Sequence, residues 1–438
     1  MSRTKVGGFS HILGSVIGSG IEYKVRSNGG RLYLVGGAVR DTLLGKRPKD
    51  YDFVIIGMGM KKFEEIFSDS KHIGGSSLIT GKKLPVYLLE GHEVALGRGE
   101  IKVGDSRLDF DWEYAETIDE DLFRRDFTIN AMAIDLHTDE LVDPFNGRDD
   151  LNRGVIRHVN TETFLEDELR VYRGLVKASQ LNFEIAVRTK ILMEIIIQSG
   201  DLLKLPVERV FEEFKKALKS DNPERFFIEL KDIKGLRVHF PEIADLVGVP
   251  QPVKSHPEGD VFSHTILTLK MMSSRTKDVV MRFCSLVHDL GKGRTNEELL
   301  PKHYGHSKEG LEPFHNLCNR LKLPNKWRIA GELVILEHMR CRLWVEMKPK
   351  KVIKLYEKCK KSPIGVIGLG QIAISDSNGR GQGEFIPQPD IRKFIELGCR
   401  VFEEVTGEDV KGDFEGKAFG DELRRLRCKW FYEERKKY

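Results

Sequence analysis

The stretch "YLVGGAVRDTLLGKRPKDYDFVII", Tyr33 to Ile56, decides how the N-terminal part of this chain is read. It opens on an apolar run and bends at Gly36-Gly37. A short helical pattern, "AVRDTLLG", follows, then a second apolar run, "YDFVII". The spacing predicts strand, turn, helix, strand. Asp50 and Asp52 stand at i and i+2 of the second strand, so both carboxylates point to one face and Tyr51 and Phe53 to the other. Two such charges raise each other's pKa in a dry site. A divalent cation relieves the repulsion, and hard oxygen ligands suit Mg²⁺. Gly36 and Gly37 lack Cβ atoms and let the backbone approach a triphosphate. The next helix offers free N–H groups to an anion, and Arg40, expected in its first turn, can neutralise phosphate charge. A lone D-x-D reads as a solvated strand end. With the glycine pair, Arg40 and the strand context in front, it reads as a nucleotidyl-transfer site using Mg²⁺.

Working outward, "RLYLV", "LPVYLLE", "HEVALGR", "RLDFDWEYAE" and "TDELVDPFNG" are strand-like. Residues 1–30 are rich in Gly and Ser and read as an extension, a poorly fixed lead-in. Residues 31–159 form a mixed α/β unit. Beyond it the helix period dominates. "TFLEDELRVYRGLVKASQLNF" opens on Thr163, an expected N-cap with Glu166 completing a capping box. Residues 160–250 read as a helical neck and RNA-binding region, closed by the loop "GVPQPVKSHPEGD". Residues 251–380 and a basic helical tail, 381–438, complete the chain.

The 438 residues suggest about three domains. A charged share of 32% and a hydrophobic share of 40% indicate a soluble globular protein. The net charge of +4 is too mild to prove a nucleic-acid partner. No signal segment and no apolar run of about 18 residues is seen, so no membrane is expected. None of the six cysteines sits in a C-x-x-C pair, consistent with a reduced, cytoplasmic chain.

"LVGGAVRDTLLG…KDYDFVI" resembles the head signature of class II tRNA nucleotidyltransferases, the CCA-adding enzymes, which share a fold with bacterial poly(A) polymerases. "DEDLFRRDFTINAMAID" is similar to the family's arginine–arginine–aspartate motif, "DPFNGRDDL" to the segment closing the head, and "EDELRVYR" to its nucleotide-reading helix. The motifs occur in the family's order between Tyr33 and Arg173. The resemblance implies an α/β head of polymerase-β-like nucleotidyltransferase fold, followed by an all-α neck, an HD-type body and a tail. It implies that CMP, CMP and AMP, from CTP and ATP, are added to the tRNA 3′ end without a nucleic-acid template. Asp50 and Asp52 would be catalytic, holding Mg²⁺. Gly36, Gly37, Arg40, Arg125, Asp167, Arg170 and Arg173 would bind the nucleotide. Asp126 would anchor head to neck, and Asn130 would make an internal hydrogen bond near the site.

Read from spacing alone, Asp167 and Arg170 are i, i+3 neighbours on one helix face, a donor fork beside an acceptor. The same spacing describes an ordinary ion pair. Related enzymes often carry a further arginine where this chain has Val176; Lys177, next along, is a point charge without the planar fork. Arg98 and Glu100 rank lower as site residues. Asp109 and Asp111 form a second D-x-D, read as surface-facing.

A second constellation lies downstream: His264 in a helical stretch, His288-Asp289 at a helix end before "LGKG", and Asp376. This order resembles the ligand set of HD phosphohydrolases, with His306 and His338 as further candidates. Imidazole plus carboxylate suits Mg²⁺, Mn²⁺, Ni²⁺ or Co²⁺, and the implied substrates are phosphoesters such as 2′,3′-cyclic phosphates. The competing readings are a poly(A) polymerase or a partial CC- or A-adding enzyme, and an HD phosphohydrolase whose head only binds RNA. The tail "RRLRCKWFYEERKKY" reads either as an RNA-stacking surface or as a solvated helix whose aromatics pack on the body.

Overall fold

The computed structural model describes residues 3–5, 19–73, 86–89, 91–102, 110–381 and 385–438. The chain divides into two compact units at Ser199/Gly200. That boundary falls inside the segment 160–250, so the helices Thr161–Glu166, Leu169–Leu181 and Val187–Gln198 belong to the first unit.

Among the described residues, the first unit is built on an eight-stranded sheet. Its strands are β1 (Arg3–Lys5), β2 (Arg31–Val35), β3 (Asp52–Ile56), β4 (Lys71–His72), β5 (Val86–Leu89), β6 (His92–Leu96), β9 (Ala133–Asp135) and β10 (Glu140–Val142). A separate hairpin pairs β7 (Arg98–Lys102) with β8 (Phe110–Tyr114). The sheet order is β1-β10-β9-β2-β3-β6-β5-β4. Strands β2 and β3 lie at its centre, and in each all residues after the first or first half-exposed one are buried. Burial on both faces explains why "RLYLV" and "DFVII" are continuous apolar runs rather than alternating ones. β2 and β3 pair antiparallel with Val35 opposite Asp52, while β3 and β6 run parallel with Asp52 opposite Glu93.

Residues 1–30 are not a loose lead-in throughout. Arg3–Lys5 pairs with β10, Arg3 opposite Val142, and Ser19–Ser27 is a helix that buries Val25 completely. A three-residue polar strand carries no readable alternation, because its stability comes from the partner strand.

The second unit is helical. Its core is an aromatic cluster in which Phe214, Phe226, Phe227, Phe240 and Phe283 are fully buried. Helix ends leave carbonyls without intrahelical partners. Fully buried Arg282 donates to Leu218 O, Ser220 O, Ser273 O and Thr276 O, closing the ends of the helices Val207–Lys219 and Val261–Ser273. The tail helix Gly416–Lys436 buries Phe431 against Trp344 and Tyr356, and Trp430 Nε1 donates to Glu404. Phe431 therefore follows the packed reading of the tail. No helix among the described residues is long and apolar enough to cross a membrane.

Candidate functional site

The pairing of Val35 with Asp52 sets the Gly36-Gly37 bend beside the first residue of β3. Gly36 has φ of +69°, a conformation costly for any residue with a Cβ. A Cβ there would stand 3.0 Å from Arg125 Nη1 and 3.9 Å from Asp52 Oδ2. Gly36, Asp52 and Arg125 thus converge, as the motifs suggested.

Asp50 is not part of the strand. It lies exposed in a bend two residues before Asp52, where β3 begins. The two carboxylates are still coupled. Burial raises the Asp52 pKa, the Asp50 charge raises it further, and Arg125 opposes both. Glu93, invisible as a site residue in "HEVALGR", joins them through the parallel β3–β6 register. Burial raises its pKa, as do Asp52 and Asp50. Only a long-range strand pairing brings it in, so no local signal exposes it. A carboxylate cluster whose members make each other harder to ionise fits a hard divalent cation with oxygen ligands.

Arg125 is held in place by Asp121, four residues earlier. Asp121 Oδ2 accepts from Arg125 Nη2 at 2.8 Å, and its Oδ1 accepts from Arg124 Nη2 at 2.8 Å. Asp121 is fully buried, which raises its pKa, but the two guanidinium groups outweigh burial and hold it far below the usual carboxylate range. The i, i+4 spacing within "DEDLFRRD" was the available signal for this residue. Arg98 contributes backbone, its N–H to Asp121 and its carbonyl to Arg124. Asp109 and the side chains of Glu100 and Asp111 lie outside the described residues.

Further expectations need correction. Arg40 stands at the middle of the seven-residue helix Gly37–Leu43, its N–H closing the first turn onto Gly36 O, and its guanidinium is engaged within the protein. It is buried and donates to Asn130 Oδ1 at 2.6 Å and to Asp41 Oδ1. Asp167 and Arg170 do not share a helix face, because the chain breaks between the helices Thr161–Glu166 and Leu169–Leu181. Asp167 is extended there, and its Oδ1 accepts from Leu169 N, a local bond that competes with helix continuation. Arg170 is buried and donates to Arg124 O at 2.6 Å and to Thr163 Oγ1. Thr163 lies inside its helix; Asn160 is the N-cap, accepting from Glu162 N and Thr163 N.

Asp126 is buried. Its Oδ2 lies 2.7 Å from Arg173 Nη2, tying the turn Thr128–Asn130 to the helix Leu169–Leu181, and Asn130 donates to its Oδ1. Val176 is buried in the core. Lys177 is hydrogen-bonded to Gln180; burial, Arg40 and Arg173 push its pKa down to about 8 against the pull of Asp126.

In the second unit the predicted histidines and aspartates do meet, brought together from five helical elements, with His288 and Asp289 adjacent at the end of one of them. His264 Nε2 lies 3.1 Å from Asp376 Oδ1 and 3.8 Å from Asp289 Oδ2. His288 Nε2 is 3.1 Å from Asp289 Oδ2, while His306 Nε2 and His338 Nε2 are 3.4 and 3.5 Å from its Oδ1. The opposite ring nitrogens are tied down. Nδ1 of His288, His306 and His338 each lies 2.8 Å from a backbone carbonyl, those of Ser285, His303 and Val334. Nδ1 of His264 faces Glu258 Oε1 at 2.9 Å and Gly379 O at 3.1 Å. A carbonyl can only accept, so in the neutral rings of His288, His306 and His338 Nδ1 carries the proton and Nε2 keeps a lone pair turned toward Asp289. His288 Nε2, His306 Nε2 and Asp289 Oδ1 are buried without hydrogen-bond partners. Orphaned acceptors converging on a carboxylate fit a divalent cation with imidazole and carboxylate ligands.

The glycine of "HDLGKG" permits this closure: a Cβ on Gly291 would lie 1.9 Å from His306 O. Sequence reasoning missed four neighbours. Lys292 Nζ contacts Asp289 Oδ2 at 2.6 Å, and Arg342 Nη1 contacts Asp376 Oδ2 at 3.3 Å. His256 and Glu258, from "SHPEGD", back His264, with His256 Nδ1 2.8 Å from Glu258 Oε1. Burial disfavours the Asp289 charge, but His288, when its ring is protonated, and Lys292 outweigh it and hold the carboxyl well below its ordinary pKa. A cavity of about 310 Å³ opens beside this cluster, lined among others by Lys292, Lys302, Arg342 and Arg380.

Residues 32–157 match the family model of the poly A polymerase head domain, and 182–246 match the model described as a probable RNA and SrmB-binding site of polymerase A. A multifunctional CCA protein of Shewanella denitrificans is 38% identical over 407 residues, 91% of this chain and 96% of that protein. One of Mannheimia succiniciproducens is 37% identical over 412 residues, 90% and 95%. Among solved structures, a Thermotoga maritima CCA-adding enzyme complexed with tRNA aligns over 96% of this chain and 94% of that one, with 19% identity and a TM-score of 0.62. A CCA-adding enzyme with ATP aligns over 94% and 88%, with 19% identity and a TM-score of 0.60. At that identity the structures speak for the fold alone.

Proposed function

The chain belongs to the multifunctional CCA protein family, and on that premise we propose that it adds CMP, CMP and AMP, from CTP and ATP, to the 3′ end of tRNA without a nucleic-acid template. The observation that carries this reading is the convergence of Gly36, Asp52 and Arg125, with Asp50 and Glu93 coupled to Asp52. Asp50 and Asp52 hold Mg²⁺, with Glu93 beside them. Such an ion, when bound, lowers the pKa of the attacking hydroxyl and offsets charge on the phosphate oxygens. The glycine bend lets the triphosphate approach the backbone, and Arg125, fixed by Asp121, meets its charge. The tRNA 3′-oxygen bonds to the α-phosphorus, the bond to the β-phosphate bridging oxygen breaks, pyrophosphate leaves, and the hydroxyl proton passes to solvent. We assign base selection to Asp167 and Arg170, with Gly37, Arg40 and Arg173 completing the nucleotide site. Arg170 then has to exchange its bond to Arg124 O for the base. The segments 31–159, 160–250, 251–380 and 381–438 serve as head, neck, HD body and tail in a cytoplasmic protein.

The test is incubation with tRNA lacking its last three nucleotides and labelled CTP and ATP. Two C and one A are expected. A long poly(A) product on arbitrary RNA contradicts the reading in favour of a poly(A) polymerase, and a single C pair or lone A in favour of a partial adder.

The cage around Asp289 favours a second activity, phosphoester hydrolysis. His264, His288, Asp289 and Asp376, with His306 and His338, hold a divalent ion: Mg²⁺, Mn²⁺, Ni²⁺ or Co²⁺. An ion bound there supplies an activated water. Lys292 and Arg342 meet the substrate's phosphate; water oxygen bonds to phosphorus, one P–O ester bond breaks, and the released oxygen takes a proton. Release of product from a 2′,3′-cyclic nucleotide on adding metal supports it, and no turnover with any of the four metals contradicts it.

A further inference from the structure

Tyr304 stands out at the cavity beside Asp289. It lines that cavity yet is 72% exposed. Isolated exposed aromatics are common and need no explanation, but this one is not on a free loop. The residue before it, His303, is fixed twice, its Nδ1 2.8 Å from Thr295 Oγ1 and its Nε2 3.1 Å from Pro250 O. The residue after it, Gly305, has φ of +83° and leads directly into His306 of the ligand cage. His306 Nδ1 in turn meets His303 O at 2.8 Å. The backbone is therefore pinned on both sides of Tyr304, and the ring is presented at the cavity rather than packed into a core.

The same cavity carries groups for an anion. Lys292, Lys302, Arg342 and Arg380 line it, and Arg380 Nε is buried without a hydrogen-bond partner. Cations alone would accept any phosphate. A fixed aromatic beside them adds a flat surface that every nucleobase can use, because each base has a π-face.

We propose that Tyr304 is the base-stacking platform of this cavity, so that the HD site selects phosphoesters carrying a nucleobase, such as nucleoside cyclic phosphates and RNA 3′ ends, over base-free phosphoesters. The proposal rests on the phosphohydrolase reading of the Asp289 cage. The phosphate sits against Lys292, Arg342 and Arg380, and the base lies on the Tyr304 ring. Stacking acts on binding, not on the chemical step, so its loss appears in KM.

The experiment compares the full-length protein with Tyr304→Ala and Tyr304→Phe, supplied with divalent metal. KM and kcat are measured for adenosine 2′,3′-cyclic phosphate and for methyl riboside 2′,3′-cyclic phosphate, which lacks a base. Tyr304→Ala is expected to raise KM for the adenosine ester roughly tenfold with kcat unchanged, the size of one base–aromatic stack. It leaves the base-free ester unaltered, and Tyr304→Phe keeps wild-type values for both. The proposal is overturned if Tyr304→Ala shifts both esters equally or neither, or if Tyr304→Phe fails as Tyr304→Ala does. If the wild-type protein turns over neither ester, the phosphohydrolase reading itself falls and takes the platform with it.

Discussion

In the first unit, Asp52 and Glu93 come from the starts of β3 and β6, with Asp50 in the bend before β3 and open to solvent. In the second, four histidines and two aspartates close on one another from five helical elements, nearly all out of reach of water. The first set offers oxygen only and must leave room for a triphosphate that brings oxygens of its own. The second offers nitrogen and oxygen and pre-fixes each ring through its Nδ1. An open all-oxygen site suits an ion that arrives with its nucleotide, whereas a closed mixed site suits a resident ion. The contrast teaches that these are separate devices, and each should fail alone.

The largest effect that could break this contrast is at Asp289. Asp289→Asn is expected to lower cyclic-phosphate hydrolysis by about a thousandfold through loss of the shared carboxylate. CCA incorporation, assayed in the same preparation, stays within about twofold of wild type. Next comes Gly36→Ala. The positive φ and the 3.0 Å approach to Arg125 Nη1 would displace the guanidinium, and a displacement of about 1 Å costs incorporation roughly a hundredfold. Steady-state kinetics should place the loss in kcat. Glu93→Gln sharpens the first site further: the Mg²⁺ concentration for half-maximal incorporation should rise by about tenfold, in the range seen for groups that support metal ligands. No change there would remove Glu93 from the cluster.

The smallest effect concerns Lys177. Its folded-state pKa, about 8, lies below the unfolded lysine value of roughly 10.4. Between those values the unfolded chain holds more protons, so stability rises with pH from about 8 to about 10.4, and the full penalty is present below pH 8. Lys177→Met should flatten that rise and stabilise the protein at neutral pH, as read from chemical denaturation at several pH values.

The strands around Asp52 were legible because β2 and β3 are buried on both faces and the glycine bend has a local signature. Glu93 was not, because its place depends on the parallel β3–β6 register, a contact no window of sequence contains. The HD cage was legible as an ordered set of ligand-type residues, including His306 and His338. Its support was not: Lys292 and Glu258 stand close in sequence to the ligands they touch but look like ordinary surface charges there, and Arg342 reaches Asp376 only when two helices far apart in sequence meet. Asp167 and Arg170 misled for a local reason. Their i, i+3 spacing fits a continuous helix, but Asp167 uses its own side chain to end one helix and start another.

The most direct test of the account is a double substitution, Asp50→Ala with Asp52→Ala, assayed for both activities in one preparation. Nucleotide incorporation into truncated tRNA should fall by at least about a thousandfold, with cyclic-phosphate hydrolysis and the unfolding midpoint unchanged. Incorporation that survives the substitution, or hydrolysis that disappears with it in a still-folded protein, would contradict the account.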